Sequence, residues 1–259
     1  MSRFLQRPNL PEGKVTLCVM SGKYPLFCRA LEALGVEVLP AGPSPNLPEP
    51  VACHGDLQLC HLGGADLLVE PGAPGLGAAL ARRNFRFPGS CPPAGKEYPA
   101  DVPLGLLLLA PFCFGNLQAA APDALEYLRR HGWEPVRVRQ GYAKCSTVIA
   151  DKGIAITADK GLWEALSRRG IDCLKIEPGD ILLDGYDTGF LGGCCGLIAP
   201  KALAFTGSLD RYREGEKVQR FLDAHGVRAV ALSDGPMVDI GGILPLMEEA
   251  PDSCPDSLY

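Results

Sequence analysis

The sequence predicts an α/β fold, a five-fold pseudosymmetric α/β propeller of five strand–strand–helix–strand units whose ring is closed by the two termini. Three observations predict it. A short helical stretch that ends on a left-handed cap residue and runs into an apolar strand recurs five times, at intervals of roughly 50 residues. A strand pair precedes the helix in the clearest copies and aligns between them. Finally, the first unit lacks its opening strand, while a surplus strand stands near the C-terminus.

The helix ends are Leu31-Glu32-Ala33-Leu34-Gly35, Leu80-Ala81-Arg82-Arg83-Asn84, Leu128-Arg129-Arg130-His131-Gly132, Leu166-Ser167-Arg168-Arg169-Gly170 and Leu222-Asp223-Ala224-His225-Gly226. Glycine closes a helix in the left-handed region without a Cβ penalty, and asparagine is the usual second choice. In the first unit, residues 15–19 read as a strand, 25–34 as the helix and 36–39 as the closing strand. The second unit opens at His54-Gly55-Asp56 and places its second strand at 66–70, and the third uses 106–109 and 112–114. Residues 145–157 align without a gap on 194–206, which defines the strand pairs of the fourth and fifth copies. Residues 239–246 supply the missing first strand, so the first unit is split between the termini, and 248–259 are left over. The units read 240–246 with 14–50, then 51–98, 99–139, 140–187 and 188–239, in one domain spanning 1–259. The stretches 40–50 and 87–103, rich in Pro and Gly, are connections within the ring.

Composition narrows the function classes. A hydrophobic fraction of 47% is that of a chain able to bury a core. A net charge of −5 offers no basic face to nucleic acid. The first residues lack the apolar run of a secretory signal, and the longest apolar stretch, 104–117, is short and interrupted by Gly105, Pro111 and Gly115. The expectation is a soluble, cytoplasmic protein with no membrane partner. Its 11 cysteines contain no Cys-x-x-Cys pair, and none of its 4 histidines stands at zinc spacing from a cysteine pair. Neither a metal nor a disulfide framework is expected; Cys18, Cys28, Cys113 and Cys173 fall where a small apolar residue would serve. No glycine loop has standard phosphate-binding spacing, so no cofactor is expected.

Chemistry concentrates at one position of the repeat. Where the first strands begin, the chain reads His54-Gly55-Asp56, Ala100-Asp101, Tyr142-Ala143-Lys144-Cys145, Leu191-Gly192-Gly193-Cys194-Cys195 and Ile240-Gly241-Gly242. In a ring of five units these segments converge on the axis, bringing titratable and nucleophilic side chains into one pocket. Gly192 and Gly193 stand there either as substrate contacts or to permit close strand approach. Asp184, Asp187, Asp234 and Asp239 shape turns, and one of them can line the pocket.

On these residues the chain resembles the pentein fold of guanidino-group-modifying enzymes, which include arginine deiminase, dimethylarginine dimethylaminohydrolase, agmatine deiminase and amidinotransferases. In that family a His-x-Asp or His-x-Lys segment opens one unit and a Cys follows a Gly-Gly pair in a later unit, as His54-Gly55-Asp56 and Gly192-Gly193-Cys194-Cys195 do here. The resemblance implies a Cys/His-dependent hydrolase or transferase acting on a small cationic guanidino or amidino compound. A guanidinium carbon is resonance-stabilised and calls for a soft thiolate nucleophile. A histidine protonates the departing amine, and carboxylates grip the planar cation by paired hydrogen bonds. The resemblance thus implies Cys195 or Cys194 as nucleophile, His54 as acid and base, and Asp56 and Asp101 as the clamp. Lys144 and Cys145 form a second possible pair, the ammonium lowering the thiol pKa. Which cysteine faces the pocket is open, because a shift of one residue in a strand turns a side chain to the other face. The alternative is a non-catalytic pentein, a binding or ribosome-associated factor.

Overall fold

A computed structural model describes residues 1–250; the last part of the leftover tail, 251–259, lies outside the described residues. The fold is mixed α/β, with five separate sheets. The first sheet begins with β1 (Ser2–Phe4) and β2 (Val15–Ser21); α1 (Pro25–Ala33) then returns the chain to β3 (Glu37–Ala41), which pairs parallel to β2. Pro25 opens α1, where its missing N–H is no loss, and Phe27 and Leu31 form the buried face.

The pattern repeats along the chain. A one-turn helix, α2 (Gly55–Gln58), leads into β4 (Leu59–Gly63), which pairs antiparallel with β5 (Asp66–Val69) before α3 (Pro74–Ala81). The third sheet holds β6 (Leu107–Leu109) and β7 (Phe112–Gly115), then α4 (Pro122–Arg130) and the parallel β8 (Glu134–Arg137). The fourth has β9 (Thr147–Asp151), β10 (Ile154–Thr157), α5 (Lys160–Ser167) and β11 (Asp172–Lys175). The fifth has β12 (Cys195–Ala199), β13 (Ala202–Phe205), α6 (Gly215–Ala224) and β14 (Arg228–Ala231). Last, β15 (Leu244–Glu249) runs antiparallel between β1 and β2, in the first sheet.

All five cap residues take the left-handed conformation: φ is +82° at Gly35, +64° at Asn84, +79° at Gly132, +73° at Gly170 and +66° at Gly226. Each lets the chain leave its helix and turn at once into the next strand. Elsewhere the structure departs from the sequence reading. Among the described residues the second sheet has no third strand; one bridge, Asp66 to Arg86, stands in its place, and Pro88 and Gly89 follow two and three residues on. The final strand runs to Glu249, and the buried Glu248 carboxylate accepts from Arg3 Nε at 3.0 Å and from Gly13 N at 2.9 Å, so 248–250 are held rather than left over. The two loop stretches are joined by the buried carboxylate of Glu70, which accepts from Ser44 Oγ (2.8 Å), Asn46 Nδ2 (2.6 Å) and Ala94 N (3.2 Å).

The core lies between sheets and helices. Phe114 and Phe205 are fully buried on β7 and β13, each removing enough apolar surface from water to contribute about 1.5–3 kcal/mol. β12 packs beside β9 and β15. The turns that feed β4, β9, β12 and β15 consequently meet, and that junction is where the titratable residues gather.

Candidate active site

Apart from Cys195, which opens β12, the residues expected to open strands sit instead in turns or loops before them. His54 immediately precedes the one-turn α2, with Asp56 inside it; Ala143 to Ser146 form the turn into β9; and a 3-10 turn, Leu191–Cys194, leads into β12. Turn geometry, not strand alternation, therefore decides which side chain faces which neighbour.

Two glycines allow the turns to close on each other. Gly241, at φ +73°, would place a Cβ 2.5 Å from that of His54, and a Cβ on Gly193 would collide with the Asp239 carboxylate. Gly192 likewise packs on the Cys145 and Thr147 carbonyl oxygens. Gly192 and Gly193 thus hold segments together and do not line the cavity beside His54.

Three predicted residues converge. A ring nitrogen of His54, a carboxylate oxygen of Asp56 and the Cys145 sulfur lie within 4.8 Å of one another, all buried. A fourth, Asp239, is the hub. Its Oδ1 accepts from Gly241 N at 3.0 Å and from the Cys145 thiol at 3.6 Å, its Oδ2 accepts from Phe190 N at 2.8 Å, and His54 Nδ1 lies 3.9 Å from Oδ1. Asp239, His54 and Cys145 line a cavity of about 120 Å³, walled by Tyr142, Tyr186 and Phe190 and completed by Val51, Leu183 and Thr188.

Electrostatics in this cavity favour a cation. Burial, with the Asp239 and Asp56 carboxylates, pushes the Cys145 thiol well above its ordinary range, and neighbouring Lys144 only partly opposes them. Burial also raises the Asp56 carboxyl against the pull of His54 and Lys144, and its Oδ1 has no partner among the described residues. The cavity thus sets a protonated thiol beside acidic groups. A bound cation would offset their charge and lower the cost of forming thiolate. The same trio of imidazole, thiol and carboxylate is also a donor set that zinc accepts.

The remaining predicted residues fall elsewhere. The Cys194 thiol donates to Phe190 O at 3.3 Å and the Cys195 thiol to Gly192 O at 3.9 Å; neither lines the His54 cavity. Burial raises the Cys194 thiol and pushes that of Cys195 up to about 12. Asp101 stands behind Tyr142, whose hydroxyl donates to its Oδ2, and is not part of the wall. The Lys144 side chain lines two small cavities with Asn9 and Pro245 instead. Sequence reasoning missed Asp239 as the hub and the aromatic wall. Asp239 carried a signal, as an aspartate directly before Ile240-Gly241-Gly242; Tyr186 carried a weaker one, as an aromatic side chain in a polar turn.

Comparison with solved structures identifies the fold. Inosamine-phosphate amidinotransferase StrB1 from Streptomyces griseus superposes with a TM-score of 0.62 at 12% identity, covering 96% of this chain and 98% of that one. SxtG, an amidinotransferase from Microseira wollei in the saxitoxin biosynthetic pathway, gives 0.56 at 10% identity over 88% and 91%. Dimethylarginine dimethylaminohydrolase (DDAH) from Pseudomonas aeruginosa, complexed with citrulline, gives 0.51 at 9% identity over 86% and 96%. The fold is the pentein fold of guanidino-group-modifying enzymes. No curated protein matches the sequence. The chain belongs to the family of unknown function DUF6873, which matches residues 19–244.

Proposed function

We propose that this protein is a thiol-dependent enzyme acting on a guanidino or amidino compound, with Cys145 as nucleophile, His54 as acid and base, and Asp239 as the anchor of the cation. The observation that carries this reading is the meeting of Cys145, His54 and Asp239 in one aromatic-walled cavity. Amidino transfer and dimethylarginine, in the names of the structural neighbours, belong to the same chemistry. We also infer that the five sheets are blades of a five-fold propeller that β15 closes, with the site at its axis.

In the proposed reaction the planar cation enters against the aromatic rings and donates N–H groups to Asp239. Its charge favours the Cys145 thiolate, whose proton passes to His54. The sulfur bonds to the central carbon, and the C–N bond to the leaving amine breaks as His54 delivers a proton to that nitrogen. A covalent thiouronium remains. Water or a second amine, deprotonated by His54, attacks the same carbon and expels the thiolate, giving hydrolysis or amidino transfer. Cys194 and Cys195 are packing thiols on this reading, and Asp56 tunes Cys145 without touching substrate.

The test is acid-quenched mass spectrometry of the protein mixed with a panel of guanidines and amidines. The expected result is a substrate-derived mass increment on Cys145 with release of an amine, both absent in Cys145→Ser. Absence of both adduct and amine release with every panel member would overturn the proposal.

A further inference from the structure

We propose, resting on the catalytic reading above, that the substrate's substituent is uncharged and apolar: the site takes an alkyl- or arylguanidinium or the matching amidinium, and discriminates against amino acids such as arginine. The lining of the His54 cavity decides this. Its charged or chargeable groups are Asp239, His54 and Cys145, and among the described residues no arginine or lysine lines it. The Lys144 ammonium, adjacent in sequence, serves other cavities. A carboxylate carried into this cavity would lose water and meet Asp239 without a counter-charge, which disfavours it strongly; at the end of a longer tail it would lie at the mouth, where the cation Lys23 is already paired with Asp184.

The rest of the wall is apolar. The Tyr142 and Phe190 rings lie 6.0 Å apart at a 35° tilt, and the Tyr142 hydroxyl is already committed to Asp101. Ring faces of this kind attract a delocalised cation and accept a hydrocarbon tail. The cavity is several times larger than one water needs, enough for a guanidinium head but not for a long substituent. The tail must therefore pass the mouth, where apolar surface is exposed: Tyr186 is 45% exposed, and Tyr98, stacked 5.9 Å from Tyr142, is 52% exposed. The charges near this mouth are poor anchors. Asp184 is paired with Lys23 at 3.3 Å, and Asp184 and Asp187 are both exposed, where solvent screens a distal ammonium's attraction.

The test measures binding to Cys145→Ser protein by titration calorimetry, using phenethylguanidine, butylguanidine, agmatine and arginine. The proposal predicts phenethylguanidine tightest and arginine at least tenfold weaker than butylguanidine. Tyr186→Ala should weaken phenethylguanidine about fivefold or more, and Tyr186→Phe should restore it. Arginine binding as tightly as butylguanidine, or agmatine tighter than phenethylguanidine, overturns this inference while leaving the catalytic reading intact. An unchanged affinity in Tyr186→Ala also overturns it. If no guanidine binds and none protects Cys145 from alkylation, the underlying reading falls as well.

Discussion

Cys145 and Cys194 occupy the same position in two aligned units, yet their surroundings have little in common. The Cys145 thiol points at Asp239 in a cavity it shares with His54, whereas that of Cys194 ends on the Phe190 carbonyl oxygen. Both lie within tight turns and both are buried. The difference lies in what the neighbouring turns bring. Gly193 makes room for the Asp239 carboxylate next to Cys145, and Gly241 lets His54 approach. A repeated scaffold thus supplies equivalent thiols, and the packing of glycine-bearing turns decides which one has an acid, a base and an opening.

The comparison breaks most sharply at the sulfur. Cys145→Ser should lower turnover by about a thousandfold or more, as loss of a nucleophile does, with little change in the fold. Cys195→Ala should leave turnover within about twofold and cost about 1 kcal/mol of stability, measured by urea unfolding. Loss of activity in Cys195→Ala with retention in Cys145→Ser would reverse the two roles.

Next in size is the hub. Asp239→Ala strips acceptors from Gly241 N, Phe190 N and the Cys145 thiol, and should cut turnover by about 10²- to 10⁴-fold while destabilising the protein by about 1–3 kcal/mol. Gly193→Ala should act through the same carboxylate, with a steric cost of about 1–3 kcal/mol. The control is Gly132→Ala: nothing lies within 4 Å of its added methyl, so only the left-handed conformation is penalised, by about 1–2 kcal/mol, and turnover is kept. Equal losses of activity in the two glycine variants would show that the Gly193 contact does not shape the site.

Two smaller effects sharpen the picture. Zinc should inhibit reversibly by engaging His54, Asp56 and Cys145, with EDTA restoring the rate; activation by zinc would instead favour a metal-dependent reaction. Buried thiols also set an alkaline limit. Burial raises Cys195 from 9.0 to about 12, so below pH 9.0 folded and unfolded chains alike keep this proton and its contribution is fully present. As pH rises from there toward 12 the unfolded chain releases the proton first, and stability falls. Urea unfolding free energies that stay level across that window would argue that these thiols are not held protonated by the fold.

The architecture was largely legible because its punctuation is local. A helix that turns at once into a strand needs a left-handed residue, and Gly35, Asn84, Gly132, Gly170 and Gly226 announce it within a few positions. The alignment of 145–157 on 194–206 similarly marks β9 with β10 and β12 with β13. The site was only half legible. His54, Asp56 and Cys145 stood out as chemistry-bearing residues at one position of the repeat, but the motif pointed at Cys194 and Cys195. The contact between Cys145 and Asp239 spans 94 positions and depends on the path of a turn, which no periodicity encodes. Tyr186 and Phe190 lie in the connection between β11 and β12, outside the helix and strand segments that the repeat aligns, so repeat reasoning passed over them.

Cys145 is set apart from the other thiols by Asp239 and His54, and peptide-mapped alkylation tests this most directly. The native protein is treated with 2-chloroacetamidine and, separately, iodoacetamide across pH 6 to 10, in wild type and in His54→Ala. The prediction is that the cationic reagent modifies Cys145 first, by a margin over iodoacetamide that methylguanidine and His54→Ala both reduce. Preferential modification of Cys194 or Cys195, or uniformly slow labelling of every thiol by both reagents, would contradict it.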